Sequence, residues 1–417
     1  MTGENARRVL RRLSEFASTR YPARHPAIAA LVLIGCIVFG IVVLVPSEAS
    51  VRALAEVAAH KCQEAESRPR CYEEFIPRYM DDGLPMESVF GIVRELQAID
   101  PSYRDCHVLA HNISAKETAK DLSKWKDVVA RSPYGVCGNG SSHGAFLERF
   151  RHESLPDTST ETILGQIRGA CDDRDWWHPS HDERANCVHG VGHLAMYITG
   201  GDVKKSTDIC TAFATEFLPE DFRSTCYEGV FMQVFQPLED TDKLLVEGIT
   251  PKYDDRMAFC NQFSGPVRSI CVRESWILVS NHIATSAGFT AHCKPLIGLP
   301  DEYRYCAEGI GMGVFMVVFD YDLPEMMRLC TALDSTLMSF CVTGAARRYI
   351  QTDWRNIDEA IRVCRDAEER VHAPCFANLI SYGQNTFTNH PKEAHALCAG
   401  MPAPWSKQCA EDLGISL

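Results

Sequence analysis

Three short segments of this sequence carry histidine at related places: Cys106-His107-Val108-Leu109-Ala110-His111, Cys137-Gly138-Asn139-Gly140-Ser141-Ser142-His143-Gly144 and Cys187-Val188-His189-Gly190-Val191-Gly192-His193. His107/His111 and His189/His193 are both i,i+4 pairs. On a helix that spacing sets two imidazoles on one face, roughly 5–6 Å apart at Cβ, where they can share a metal ion. His143 and His193 each stand six residues after a cysteine, a slot held by Met232, Met312 and Arg347 further along the chain. If the segments are repeats of one unit, equivalent slots lie side by side, and His143 is expected beside His193. A single histidine of this kind is ordinarily a hydrogen-bonded core residue. Five in three aligned helix starts need a shared partner, because buried imidazoles without one leave unsatisfied nitrogens. The candidate metal ligands are therefore His107, His111, His143, His189 and His193. Neutral imidazole suits iron, copper, zinc or manganese, and residue type does not choose among them. Glu148 is the nearest carboxylate in sequence to His143, and a surface glutamate is its ordinary reading.

Other motifs carry less. Gly140-Ser141-Ser142-His143-Gly144 fits G-x-S-x-G, but a nucleophile elbow needs a strand before it and an α/β sheet around it. The pair His107/His111 lacks the glutamate of H-E-x-x-H, which disfavours a zincin protease. Asn112-Ile113-Ser114 and Asn139-Gly140-Ser141 match the glycosylation sequon, yet both fall inside the histidine segments, where a glycan would obstruct. Met232 and Met312 are read as core filling rather than soft copper ligands.

The elements that must position the histidines follow from the cysteines. Apart from Cys36, 18 cysteines fall in chain order into nine couples: 62/71, 106/137, 171/187, 210/226, 260/271, 293/306, 330/341, 364/375 and 398/409. From Cys187 onward the second members recur after 39, 45, 35, 35, 34 and 34 residues, the period of a helical-hairpin repeat. Apolar helix-like runs surround the second cysteines, as in CVHGVGHLAMY, CYEGVFMQVF and CAEGIGMGVFM. Glycine stands three residues after Cys137, Cys187, Cys226, Cys306 and Cys341. Because glycine costs about 1 kcal/mol in a helix interior, its recurrence implies close approach of a neighbouring helix. Each unit is expected to be helix, connector, helix, with a disulfide stapling the ends of the connector. No C-x-x-C pair occurs, which disfavours thiolate zinc sites, thioredoxin-like motifs and haem attachment. The expected fold is all-α: a single transmembrane helix, then a disulfide-stapled helical-hairpin repeat array. In general architecture this array resembles the α-solenoids of Sel1-like and tetratricopeptide-like repeats, although their consensus residues do not recur here.

Residues 27–45 (AIAALVLIGCIVFGIVVLV) are uncharged and apolar, long enough to span a hydrocarbon core of ~30 Å. Six arginines precede them against Glu4 and Glu15, so the N-terminus is expected in the cytoplasm and everything after Pro46 outside, in a periplasmic, extracellular or lumenal space. The run exceeds the usual ~7–15 residues of a signal-peptide core, favouring an uncleaved anchor over the cleavage reading that Ser47-Glu48-Ala49 invites. The expected division is a tail at 1–26, the anchor at 27–46, a helical lead-in at 47–100, histidine-bearing repeats at 101–200 and cysteine-paired repeats at 201–417. The chain carries −13 overall and −17 beyond residue 26. That balance excludes the basic footprint of a nucleic-acid binder. Two functions remain: an exported, membrane-anchored metalloprotein, either an oxidoreductase or a hydrolase if it is an enzyme, or a non-catalytic scaffold whose repeats at 201–417 bind another exported or membrane protein.

Overall fold

The 18 paired cysteines close as nine disulfides, each joining the two members of one couple read in chain order. Every connectivity expected from spacing is therefore present, and nine bridges fit a protein of an oxidising compartment. The computed structural model describes residues 48–150, 159–216, 218 and 220–417. The proposed anchor at 27–46 and the tail before it lie outside the described residues. Among the described residues no helix is long and apolar enough to cross a membrane.

The described residues form helices and no strands. Residues Glu48–Cys62 and Met86–Ile99 make the lead-in, with Arg68–Phe75 between them. Eight longer helices then succeed one another: α1 (His107–Ala119), α2 (Gly140–Phe150), α3 (His181–Ile198), α4 (Arg223–Phe235), α5 (Gly265–Glu274), α6 (Pro300–Gly313), α7 (Ser335–Thr352) and α8 (Glu369–Thr386). Each packs against the next, α1 on α2 through to α7 on α8, while other helices such as Val203–Glu216 and Leu323–Thr331 form the other arms of the hairpins. The core between them is apolar, with Phe146, Phe150, Phe213, Phe231, Phe289, Phe315 and Phe376 almost wholly buried.

Helix starts are set locally. Ser180 caps α3: its hydroxyl accepts from Glu183 N, and the Glu183 carboxylate accepts from Ser180 N, at 3.3 and 2.7 Å. Such a capping box contributes about 1 kcal/mol and fixes where the helix begins. At the start of α1 the Asp105 carboxylate accepts from the His107 backbone N–H at 3.1 Å. Before α2 the chain passes through left-handed backbone at Cys137 and Gly138, a sharp turn held by the Cys106–Cys137 bridge.

The glycines recurring after the cysteines explain the close packing. A Cβ on Gly144 would run into the His111 carbonyl oxygen, and one on Gly229 into the His189 carbonyl oxygen. These two positions let α2 seat against α1, and α4 against α3, at backbone contact.

One arrangement departs from an open array, in which each repeat meets only its neighbours. Here α8 returns to α3. Thr386 donates to Asp182 at 2.7 Å, Asn389 to the His178 carbonyl at 2.6 Å, and Arg355 to the Arg94 carbonyl at 3.1 Å. Trp354 lies against Gly135, where any side chain would collide with its indole. His390, which reads in sequence as an exposed histidine, sits in this contact, 3.5 Å from Glu183 and stacked edge-on to Trp354.

Candidate metal centre

All five histidines meet. His107 and His111 project from α1, His143 from α2, and His189 and His193 from α3. The rings of His143 and His193 lie 4.7 Å apart between centroids, as their shared register predicts. His143 is 5.1 Å from His107, 5.3 Å from His111 and 5.3 Å from His189. Two overlapping triads result, His107/His111/His143 and His143/His189/His193, each with one ligand nitrogen per ring and all three nitrogens within 4.8 Å of one another.

The tautomers are set by neighbours from α4 and the segment after it. His111 Nδ1 lies 3.0 Å from Glu239 Oε1. A carboxylate only accepts, so Nδ1 carries the proton and Nε2 presents its lone pair. That Nε2 is buried and has no hydrogen-bond partner. His193 Nδ1 likewise faces Gln233 Oε1 at 2.7 Å, which turns a lone pair on its Nε2 toward His189 Nε2, 3.1 Å away. A tetrahedral ion with metal–nitrogen bonds of 2.0–2.1 Å sets its ligand nitrogens about 3.3–3.4 Å apart, close to this spacing. Glu228 Oε2 stands 3.9 Å from His189 Nδ1, and the backbone of Thr225 also hydrogen-bonds that ring.

Burial favours the neutral form of four of these imidazoles, His107, His143, His189 and His193. Burial, reinforced by the neighbouring rings, holds His107, His143 and His189 well below the usual histidine range. Burial also lowers His193 to about 4, against the opposing pull of its Gln233 hydrogen bond. Neutral imidazole is the metal-binding form, so protons compete only in distinctly acid solution. The sequence alone would set that competition near ~6.5, the unperturbed value, and desolvation moves it lower. His107, His189 and His193 nevertheless keep part of their surface in contact with solvent. Three nitrogens per triad match the protein ligand count of catalytic zinc sites, which leave a coordination position open.

The carboxylates seen to meet the rings are those of Glu239 and Glu228. Glu239 lies 128 residues from His111 and belongs to no motif, so only the fold reveals it. Glu228 had a readable signal. It stands two residues after Cys226, the register of His189 after Cys187, Arg273 after Cys271 and Glu308 after Cys306. In the structure Glu228 pairs with Arg273, which also binds Glu274 at 2.9 Å, so a buried polar ladder leads from His189 into α5. The G-x-S-x-G match lies in α2, with Ser141 and Ser142 buried in a helix and no strand before it among the described residues, so a serine-hydrolase nucleophile elbow has no structural support there.

Comparison with protein-family models, with curated proteins and with solved structures finds no match for this chain. The class is accordingly defined by the molecule itself: a disulfide-rich, all-helical repeat protein with histidine clusters able to hold a metal ion.

Proposed function

We propose that this chain is an exported metalloprotein, anchored by residues 27–46, whose five clustered histidines bind a transition metal on an α-solenoid-like scaffold. The observation that carries the reading is His111. Glu239 fixes its Nδ1 proton, and the Nε2 lone pair is then aimed into a cluster of four more imidazoles with nothing to accept from. A core histidine pays a desolvation cost for such an orphan, whereas a ligand gains a metal bond from it. Iron, copper, zinc and manganese all suit the donor set, and an open coordination position supports metal-assisted oxidation or hydrolysis.

The test is metal content. The full chain, its His193→Ala variant and its His395→Ala variant are stripped, reconstituted with each of the four metals and measured by mass spectrometry. His395 is exposed and remote from the cluster, so its variant should match wild type. His193→Ala, which breaks the His143/His189/His193 triad, should bind less metal than wild type. If wild type retains no more metal than His193→Ala, the metal reading fails and a protein-binding scaffold formed by repeats 201–417 takes its place.

A further inference from the structure

His143 differs from the other four rings. It is the ring shared by both triads, and it is only 4 % exposed. His111 and His193 have one nitrogen tied to a side-chain acceptor, and His189 has a backbone partner. Neither ring nitrogen of His143 makes a hydrogen bond among the described residues, and its Nδ1 is fully buried. A neutral imidazole must carry one N–H and one lone pair, so in either tautomer the buried Nδ1 is left without a partner, as donor or as acceptor. One nitrogen lone pair holds one ion. A single nitrogen of His143 therefore cannot complete both triads at once.

We propose that His143 is a bridging imidazolate between two metal ions, one held with His107 and His111 and the other with His189 and His193. This rests on the metal-binding reading above and adds to it a stoichiometry and a bridge. Both His143 nitrogens are then satisfied without a hydrogen bond, and each ion receives three imidazole nitrogens and keeps an open position. The step balances simply: the second metal–nitrogen bond forms as the remaining N–H bond breaks, its proton goes to solvent, and no electron is transferred. With metal–nitrogen bonds of 2.0–2.1 Å, a bridge across the ring sets the ions roughly 6 Å apart. That is wider than the ~3.5–4 Å of two-metal sites in general. The four outer histidines fit this division, because each i,i+4 pair flanks His143 from its own helix.

The experiment uses stripped full-length protein titrated with cupric ion alone. Metal is counted by mass spectrometry, proton release by pH-stat, and spin coupling by electron paramagnetic resonance. The expected result is two ions per chain, release of one proton on filling the second position, and loss of the isolated-copper signal through exchange across the imidazolate. Saturation at one ion, or two ions with independent signals, overturns the bridge while leaving the metal-binding reading intact. Binding of no ion overturns both readings together. His143→Gln, whose amide cannot join two ions, should retain uncoupled copper on the outer pairs. A coupled pair persisting in that variant also overturns the bridge. The wild-type coupling decides the matter whether or not the variant folds.

Discussion

Replacing Gly229 by alanine tests how the helix packing builds the histidine site. The new Cβ would meet the His189 carbonyl oxygen inside van der Waals contact and stand 3.1 Å from Gly192 Cα. Carbon–carbon contacts are optimal at about 3.5–4.0 Å, so α3 and α4 must separate by roughly 0.5–1 Å. Overpacking of this size costs about 1–3 kcal/mol, offset by up to about 1 kcal/mol of alanine's helix preference. The expected net loss is about 1–2 kcal/mol. The same displacement acts on the backbone of His189, whose Nε2 lies 3.1 Å from that of His193, so metal affinity should fall as well. Gly165 supplies the control, because it is an exposed helical glycine with nothing within 4 Å of its would-be Cβ. Gly165→Ala should stabilise by about 0.5–1 kcal/mol and leave metal binding unchanged. Urea denaturation and metal titration of the three proteins give the comparison. If Gly229→Ala is as stable as Gly165→Ala and binds metal like wild type, the helices are not in the backbone contact on which the site depends.

Burial lowers His292 to about 4, while its Nε2 lies 2.8 Å from the Val272 carbonyl oxygen. Its folded value thus lies below the unfolded ~6.5, the unfolded chain binds more protons between the two, and about 3 kcal/mol of stability should drain away as pH falls from ~6.5 to ~4. Urea midpoints measured across that range should fall less steeply in His292→Gln than in wild type, the slope that remains coming from the buried histidines of the cluster. Glu239→Gln leaves an acceptor beside His111 but removes the charge, and metal affinity measured by competition with a chelator should drop about 10- to 100-fold. Removing the 11-residue-spaced bridge with Cys330→Ser/Cys341→Ser should cost about 3 kcal/mol in denaturation yet leave metal content unchanged, since α7 supplies none of the five histidines. For the proposed topology, protease added to intact cells or spheroplasts should digest residues after the anchor. Protection there, with cleavage only in inverted vesicles, would reverse the orientation.

The legible and illegible parts of this molecule divide by the range of the contacts. Each disulfide joins cysteines within one unit, 9 to 31 residues apart, so spacing alone announces the pairing and with it the hairpins. The histidines were legible for the same reason: register after a cysteine maps to position on a helix, and neighbouring helices align equal registers, as His143 and His193 show. Glu239, Gln233 and the return of α8 to α3 are set by where distant helices finish, and no local period encodes them. The recurrent glycines fall between these cases. Their spacing implied a close neighbour, but that the neighbour is the carbonyl of a histidine-bearing residue, as for His111 and His189, is a fact of tertiary structure.

The same register that places the histidines also places charges. The slot that holds His189 on α3 holds Glu228 on α4 and Arg273 on α5, and a partly buried ion pair of this kind is a poor source of stability because desolvation cancels most of its attraction. Imidazoles packed ring to ring with unpaired nitrogens add nothing favourable either. The stability that tolerates this interior must come from elsewhere. The nine covalent staples, at about 3 kcal/mol for a ~15-residue loop, and the buried phenylalanines are the available sources. Two of those staples reach the histidine segments: in the Cys106–Cys137 bridge Cys106 adjoins His107 and Cys137 precedes His143 by six residues, and in the Cys171–Cys187 bridge Cys187 precedes His189 by two. Disulfides so placed tie down the chain at the start of α1, just before α2 and within α3 before any ion arrives. A site assembled in this way keeps its nitrogens converged without metal, and the free energy of binding goes into the metal bonds rather than into ordering the chain.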